Sequence, residues 1–293
     1  MRKLLVSSVV RGHPDFALLD ILAVEVAHRL GSRPSDAFVE IMLEAIEFVL
    51  DPVRTGRTTI AELDNVEKTF VGLKIEHYFR DLLDAPKGVR DLELLGHDVD
   101  IKNTVSKSWS WMIPPETFRD EEPVLLLAAD EEERKSWLGL MLARHEYLGA
   151  PNRDGKRGVL SSAYPNILWL AAGAEWPKSR WFGLDMGRFR ELRRIKIGKF
   201  RAAEFFIENE RRVTHRNVLV ALLFDQKDPM KRLRANGGAP DVLAPQGIAL
   251  LSGRYNGPLA KKLGFDLTVD EFVAIKPDTF AELSELRAAG ELA

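Results

Sequence analysis

Glu76, Asp91, Asp100 and Lys102 stand in the order E-x14-D-x8-D-x-K. In the run DVDIKN, Asp98, Asp100 and Lys102 alternate with Val99 and Ile101. A period of two predicts a half-buried strand, with the aliphatic residues facing a core and the charged ones sharing the other face. Carboxylates gathered this way suit a hard divalent cation such as Mg²⁺, which takes oxygen ligands. An ammonium beside them can orient a water and offset negative charge growing on a phosphate. The chemistry such a set could perform is metal-assisted hydrolysis of a phosphodiester. The same residues could equally form the wet face of a hairpin, with cross-strand ion pairs worth about 0.2–1 kcal/mol each.

The neighbouring elements decide whether these groups can meet. Residues 16–31 and 35–50 carry helical apolar spacing; Gly31 is a natural stop and Ser35 the expected N-cap. From Thr59 a long helix is predicted, opened by the capping-box pair Thr59 and Glu62. Leu63, Val66, Phe70, Leu73 and His77 would form its apolar face, Glu76 would lie near its C-terminal end, and Pro86 and Gly88 would close it. Two alternating runs then flank Gly96-His97 as a hairpin, with Asp91 opening the first strand. PVLLLAAD and WLGLMLARHEYLG read as further strands. The first part is therefore a mixed α/β unit. A stretch rich in small residues, Pro and Gly marks a boundary, which divides the chain into residues 1–172, a linker 173–186 and residues 187–293. Past Gly187 the pattern is mostly helical, through RFRELRRIKIGKFRAAEFFIENERR, THRNVLVALLFDQ and DPMKRLRANGG. A short extended stretch (QGIALLSG) and an acidic helical tail follow, which suits a helix-turn-helix or winged-helix module.

The chain has 293 residues and no Cys. That excludes disulfides, thiolate metal sites and a cysteine nucleophile, and it fits a reducing cytoplasm. The basic, briefly apolar start lacks the long apolar core of a signal peptide, and no stretch is apolar enough to span a membrane. The net charge of −2 conceals an uneven distribution. Residues 151–236 hold 19 Lys and Arg against 9 Asp and Glu, while the rest holds 23 against 35. One strongly basic segment in a near-neutral chain is a layout for binding a polyanion. Two groups of residues fit DNA. Asn152, Arg153, Asp154, Lys156 and Arg157 lie in a basic loop, where Arg suits guanine and Asn suits adenine. Gln226, Lys227, Lys231, Arg232 and Arg234 lie on or before a predicted short recognition helix. Trp109, Trp111 and Met112 read as core beneath a loop, and Pro114-Pro115 as a fixed chain exit. The six His show no metal-ligand spacing.

The blocks NVEKTFVGLKIEHYFRDLL, DVDIKN with WSWMIPPE, NRDGKRG and DQKDPMKRLRANGGAPDVLAPQGI keep their order between about residues 65 and 248. In these blocks the chain resembles the NaeI family of restriction endonucleases. The resemblance implies a PD-(D/E)xK nuclease domain related to the mismatch-repair nicking enzyme MutH, followed by a domain with a CAP-like helix-turn-helix. It implies a Mg²⁺-dependent homodimer that cuts both strands of a GC-rich palindrome and is activated by a second DNA copy. A DNA methyltransferase would be its functional partner. By the same resemblance Asp91 and Asp100 bind the ion directly, Glu76 holds a water of its shell or a second ion, and Lys102 orients the attacking water. The residue before the first Asp, usually Pro in the family, is Arg90 here. Glu93 shares a strand face with Asp91 and Asp98 shares one with Asp100, so each is an alternative ligand. The rival expectations are a nuclease-fold protein that binds DNA without cutting, and a MutH-like nicking enzyme.

Overall fold

The computed structural model describes residues 6–105 and 109–292; part of the N-terminal reading above, residues 1–5, lies outside them. The chain forms two compact units, Met1–Asp51 with Thr58–Ser179, and Pro52–Arg57 with Arg180–Ala293.

In the first unit, helix α1 (Phe16–Leu30) buries Leu19, Leu22, Val26 and Leu30 at helical spacing. It stops at Gly31, whose φ of 83° favours glycine. Helix α2 (Pro34–Leu50) begins one residue before the expected Ser35 cap. Pro34 takes the first turn, where its fixed φ suits a helix and its missing N–H costs nothing. The Thr59/Glu62 capping box is present, but it closes only a single 3-10 turn, Ile60–Glu62. Leu63 is extended, and a second capping box, Asp64 with Glu67, opens helix α3 (Asn65–Leu82). The expected apolar face of α3 is corrected. Val71, Ile75 and Phe79 are buried, whereas Val66, Phe70 and Leu73 are exposed and His77 faces solvent. Two stripes at helical spacing compete on this helix, and the one that meets α2 and the sheet is buried.

The main sheet has the order β1 (Leu92–Leu94), β2 (His97–Thr104), β4 (Pro123–Asp130), β5 (Lys135–Leu142), β8 (Leu168–Glu175). Strands β1 and β2 form the expected hairpin, but Leu95 and Gly96, both at positive φ, join them in place of Gly96-His97, and His97 belongs to β2. That is the two-residue turn whose twist matches an antiparallel pair. Strand β3 (Met112–Ile113) and the short helix α4 (Pro115–Arg119) lead into β4 (Pro123–Asp130), which runs parallel to β2. Strand β5 (Lys135–Leu142) then pairs antiparallel with β4.

Strands β6 (Leu148–Pro151) and β7 (Arg157–Val159) make a hairpin beside β3, so the basic loop expected over 151–163 is largely a hairpin and its tip. Strand β8 (Leu168–Glu175) completes the main sheet and runs into the stretch read as linker.

Both sheet faces are covered. Val99, Ile101, Leu125, Leu127 and Leu140 meet α1, α2 and α3 on one side. Val124, Leu126, Trp137 and Met141 meet Trp109, Trp111, Ile113 and Phe118 on the other. Strand β2 is therefore not half-buried at its centre: Val99, Asp100 and Ile101 are all buried. The sheet places Asp100 beside Val124 and the apolar layer over it.

The second unit contains helices α5 (Met186–Leu192) and α6 (Gly198–Glu208), strand β9 (Thr214–His215) and helix α7 (Arg216–Leu222). Strand β10 (Ala249–Ser252), helix α8 (Gly253–Lys262), strand β11 (Glu271–Ile275) and helix α9 (Phe280–Ala288) follow. The three strands form an antiparallel sheet in the order β10-β11-β9. The helix expected over DPMKRLRANGG is instead a five-residue 3-10 turn, Pro229–Leu233, capped by Asp228. Strand β11 is too short for its alternation to stand out in the sequence. Helix α8 carries Gly and Pro, which lower its intrinsic helix signal.

Candidate active site

The site is built where the β1–β2 hairpin opens. Leu92 pairs with Val99, so continuing the register by one residue sets Asp91 opposite Asp100. Two carboxylates at cross-strand positions repel each other and need a partner. The backbone N–H of Ile101 donates to Asp91 Oδ2 at 2.7 Å. Lys102 Nζ donates to Asp100 Oδ1 and to the Ile101 carbonyl (2.8 Å), and lies 3.7 Å from Asp91 Oδ2. One ammonium thus holds both carboxylates. The remaining oxygen of Asp100, Oδ2, accepts the hydroxyl of the buried Thr117 at 3.0 Å.

Helix α3 delivers the fourth group. A Cβ at Gly72 would stand 2.8 Å from Nδ2 of Asn103, so the helix passes very close to β2. Glu76, one turn further on, is half-buried among the charges of Asp91, Lys102 and Asp100. Burial first, and Asp91 second, push its carboxyl up to about 7. Asp100 is pushed up to about 6, chiefly by burial and against the pull of Lys102. Carboxyls lifted toward neutrality by burial and by one another are a frequent property of functional sites.

The structure brings together Glu76, Asp91, Asp100 and Lys102. The two alternatives stay apart from them. Glu93 is exposed, and Asp98 turns its Oδ1 to the backbone N–H groups of Val89 (2.6 Å) and Arg90 (3.4 Å). Asp98 thereby closes the turn before Asp91, and Gly88 leaves room for its carboxylate. Arg90 donates from Nε to Glu122 (2.6 Å) and from Nη2 to the Glu116 carbonyl (2.8 Å).

Among the described residues, no three or more Asp, Glu or His side chains are arranged to hold a metal ion as they stand. The chemistry of the donor set nevertheless fits a divalent cation. Two oxygen donors already converge on one positive charge, and beside them a third acid has its carboxyl pushed up to about 7 by burial first and by Asp91 second.

The β6–β7 hairpin flanks this cluster. A Cβ at Gly155 would stand 3.2 Å from Pro115 Cγ, at the start of α4. Lys156 is near enough to favour the ionised form of Glu76, and the Arg157 guanidinium lies 5.1 Å over the Phe118 ring. Arg153 and Asp154 are exposed at the tip. Asn152 has its side-chain carbonyl engaged by the N–H groups of Asp154 (2.9 Å) and Lys156 (3.0 Å), so part of its hydrogen-bonding capacity shapes the turn.

In the second unit, Gln226 and Arg232 line a cavity of about 370 Å³ together with Lys196 and Lys199. Sequence reasoning did not single out those two lysines. Fully buried Arg201 grips Asp225 through two nitrogens (2.7 and 3.0 Å). Gln226 Nε2 donates to Asp225 (3.2 Å), and Arg232 Nε donates to Gln226 Oε1 (2.8 Å). Lys227, Lys231 and Arg234 are exposed outside this chain of contacts.

A family model described as "Restriction endonuclease NaeI" matches residues 28–281. The chain belongs to that family. The type II restriction enzyme NaeI of Lentzea aerocolonigenes is 28% identical over 251 residues, covering 78% of this chain and 74% of the relative. All four clustered residues lie within the span matched to the NaeI family. No helix among the described residues is long and apolar enough to cross a membrane.

Proposed function

We propose that this chain is a Mg²⁺-dependent type II restriction endonuclease. The observation that carries the reading is the convergence of Asp91 and Asp100 on Lys102, beside the partly protonated Glu76. Asp91 and Asp100 would hold the ion directly, with Glu76 on its water shell or a second ion. Bound there, Mg²⁺ would polarise the scissile phosphate and acidify the attacking water. Lys102 orients that water and offsets the charge that develops on phosphorus oxygens. Water adds, one P–O ester bond breaks, and the departing oxygen is protonated from solvent.

In this reading the first unit is a PD-(D/E)xK nuclease and the second a CAP-like DNA-binding module. A homodimer would match a GC-rich palindrome, with Arg153, Arg157, Arg232 or Arg234 suited to guanine. A second DNA copy would activate cleavage by binding the active state better than the inactive one. A methyltransferase would protect the host sites, and the protein would work in the cytoplasm.

The test is supercoiled, multi-site plasmid incubated with the purified protein in Mg²⁺ or in EDTA. Discrete linear fragments with Mg²⁺ alone are the expected result. Relaxed circles without linear product would favour a nicking enzyme. A gel shift with no cleavage on any of a broad panel of DNAs would favour binding without catalysis.

The cavity lysines carry a separate expectation. Lys196 and Lys199 border a cavity lined by Gln226 and Arg232, with no carboxylate in its lining. If both contact phosphates, Lys196→Gln with Lys199→Gln lowers the slope of log K against log salt by about 2, without changing site preference. Duplex anisotropy titrations at several salt concentrations, in EDTA, measure it; an unchanged slope removes these lysines from the interface.

A further inference from the structure

Thr117 is completely buried, and its hydroxyl donates to Asp100 Oδ2 at 3.0 Å. It sits in α4, a five-residue helix whose conformation is fixed from outside. The Thr117 N–H donates to the Pro114 carbonyl (3.1 Å), and the Thr117 carbonyl accepts from the Glu122 N–H (3.1 Å). Arg90 holds this segment at two points, the Glu116 carbonyl within the helix and the Glu122 carboxylate three residues past its end. Arg90 immediately precedes Asp91, and its own N–H donates to Asp98. The segment bearing Asp91 and the helix bearing Thr117 are therefore tied together, with Asp100 between them.

A carboxylate can rotate about the bond to its Cβ, and that terminal torsion is broad. With Oδ2 committed to Thr117, Oδ1 alone faces Lys102 and, across the opened hairpin, Asp91. We propose that Thr117 is a positioning residue, whose hydroxyl sets the Asp100 carboxylate for divalent-ion binding, and that Arg90 holds α4 in place for it. This rests on the reading of Asp100 as an ion ligand. Hydrogen-bond partners of this outer kind typically change metal affinity by about 10–100-fold when removed.

The experiment compares Thr117→Val, which keeps the shape and loses the hydroxyl, with Thr117→Ser, which keeps the hydroxyl. Mn²⁺ binding to the full chain without DNA is followed by electron paramagnetic resonance, and thermal unfolding is measured on the same samples. Thr117→Val is expected to weaken Mn²⁺ binding by at least about tenfold, with Thr117→Ser within about threefold of the parent. A purely structural hydroxyl would lower the melting temperature and leave the ion affinity alone, and that result overturns the proposal. Equal losses in both variants also overturn it, because the hydroxyl would not be the cause. Arg90→Gln supplies an independent variant should Thr117→Val not fold. It is expected to weaken Mn²⁺ binding severalfold, and unchanged affinity counts against the device. If the parent binds no Mn²⁺ that Asp100→Ala abolishes, the ion-site reading itself falls, and this inference with it.

Discussion

Asp100→Ala and Lys102→Ala are each expected to lower Mg²⁺-dependent cleavage by at least about 10³-fold, while duplex binding in EDTA persists. Asp100 is the best-connected member of the cluster, holding Lys102 on one oxygen and Thr117 on the other. Without it, one of the two converging carboxylates is gone and the ammonium loses its closest anchor. Among the described residues Lys102 is the cation hydrogen-bonded within the cluster, and alanine removes both its charge and its contact with the Ile101 carbonyl. The two losses act on one unit, so the double variant should be no worse than the poorer single one. Single-turnover cleavage of a cognate duplex measures this once the site is known; full activity in either variant would sink the assignment. An inactive variant must also be shown to be folded. Asp100→Asn should melt no lower than the parent at pH 8, since it removes a carboxylate whose charge is costly to bury.

The second large effect is on pH. With Glu76 pushed up to about 7 and Asp100 to about 6, both are ionised at pH 8 and both are largely protonated at pH 5. Ion binding needs the ionised forms. The apparent affinity for Mg²⁺ should therefore fall by about two to three orders of magnitude between pH 8 and pH 5, and cleavage at sub-saturating Mg²⁺ should fall with it. Raising Mg²⁺ should move the acid limb to lower pH; a limb that ignores Mg²⁺ would place the titrating groups elsewhere.

Stability runs the opposite way. The folded protein binds these protons more tightly than the unfolded chain. Their contribution is complete below the ordinary carboxylate range and is lost as pH rises through about 6 and then 7. Glu76→Gln should thus stabilise the ion-free protein at pH 8 by about 1–2 kcal/mol after allowance for solvent screening, and by nothing measurable at pH 4. Thermal unfolding in EDTA at the two pH values gives both numbers.

The local features of this chain are legible in its sequence for definite reasons. Leu19, Leu22, Val26 and Leu30 repeat at helical spacing, and two alternating runs flank Gly96-His97, which marks the hairpin to within one residue of its actual turn. A hairpin's register follows from its turn, so the Leu95-Gly96 turn, rather than one at Gly96-His97, is what sets Asp91 instead of Glu93 opposite Asp100. Tertiary structure decided what spacing does not encode. It chose the Val71, Ile75, Phe79 stripe of α3 over the exposed Val66, Phe70, Leu73 one, because the sheet and α2 lie on that side. It buried Asp100 by laying β4 and the tryptophan layer beside β2, and that burial is what lifts the carboxyl's pKa. It turned Asp98 away into a backbone cap and brought Thr117 and Arg90 to the acids from 17 residues beyond Asp100 and from the turn before Asp91. Periods of 2 and 3.6 are properties of neighbours along the chain. Desolvation, the supply of positive charge and the partner of each carboxylate oxygen depend on residues distant in sequence, and these appear only when the sheet is assembled.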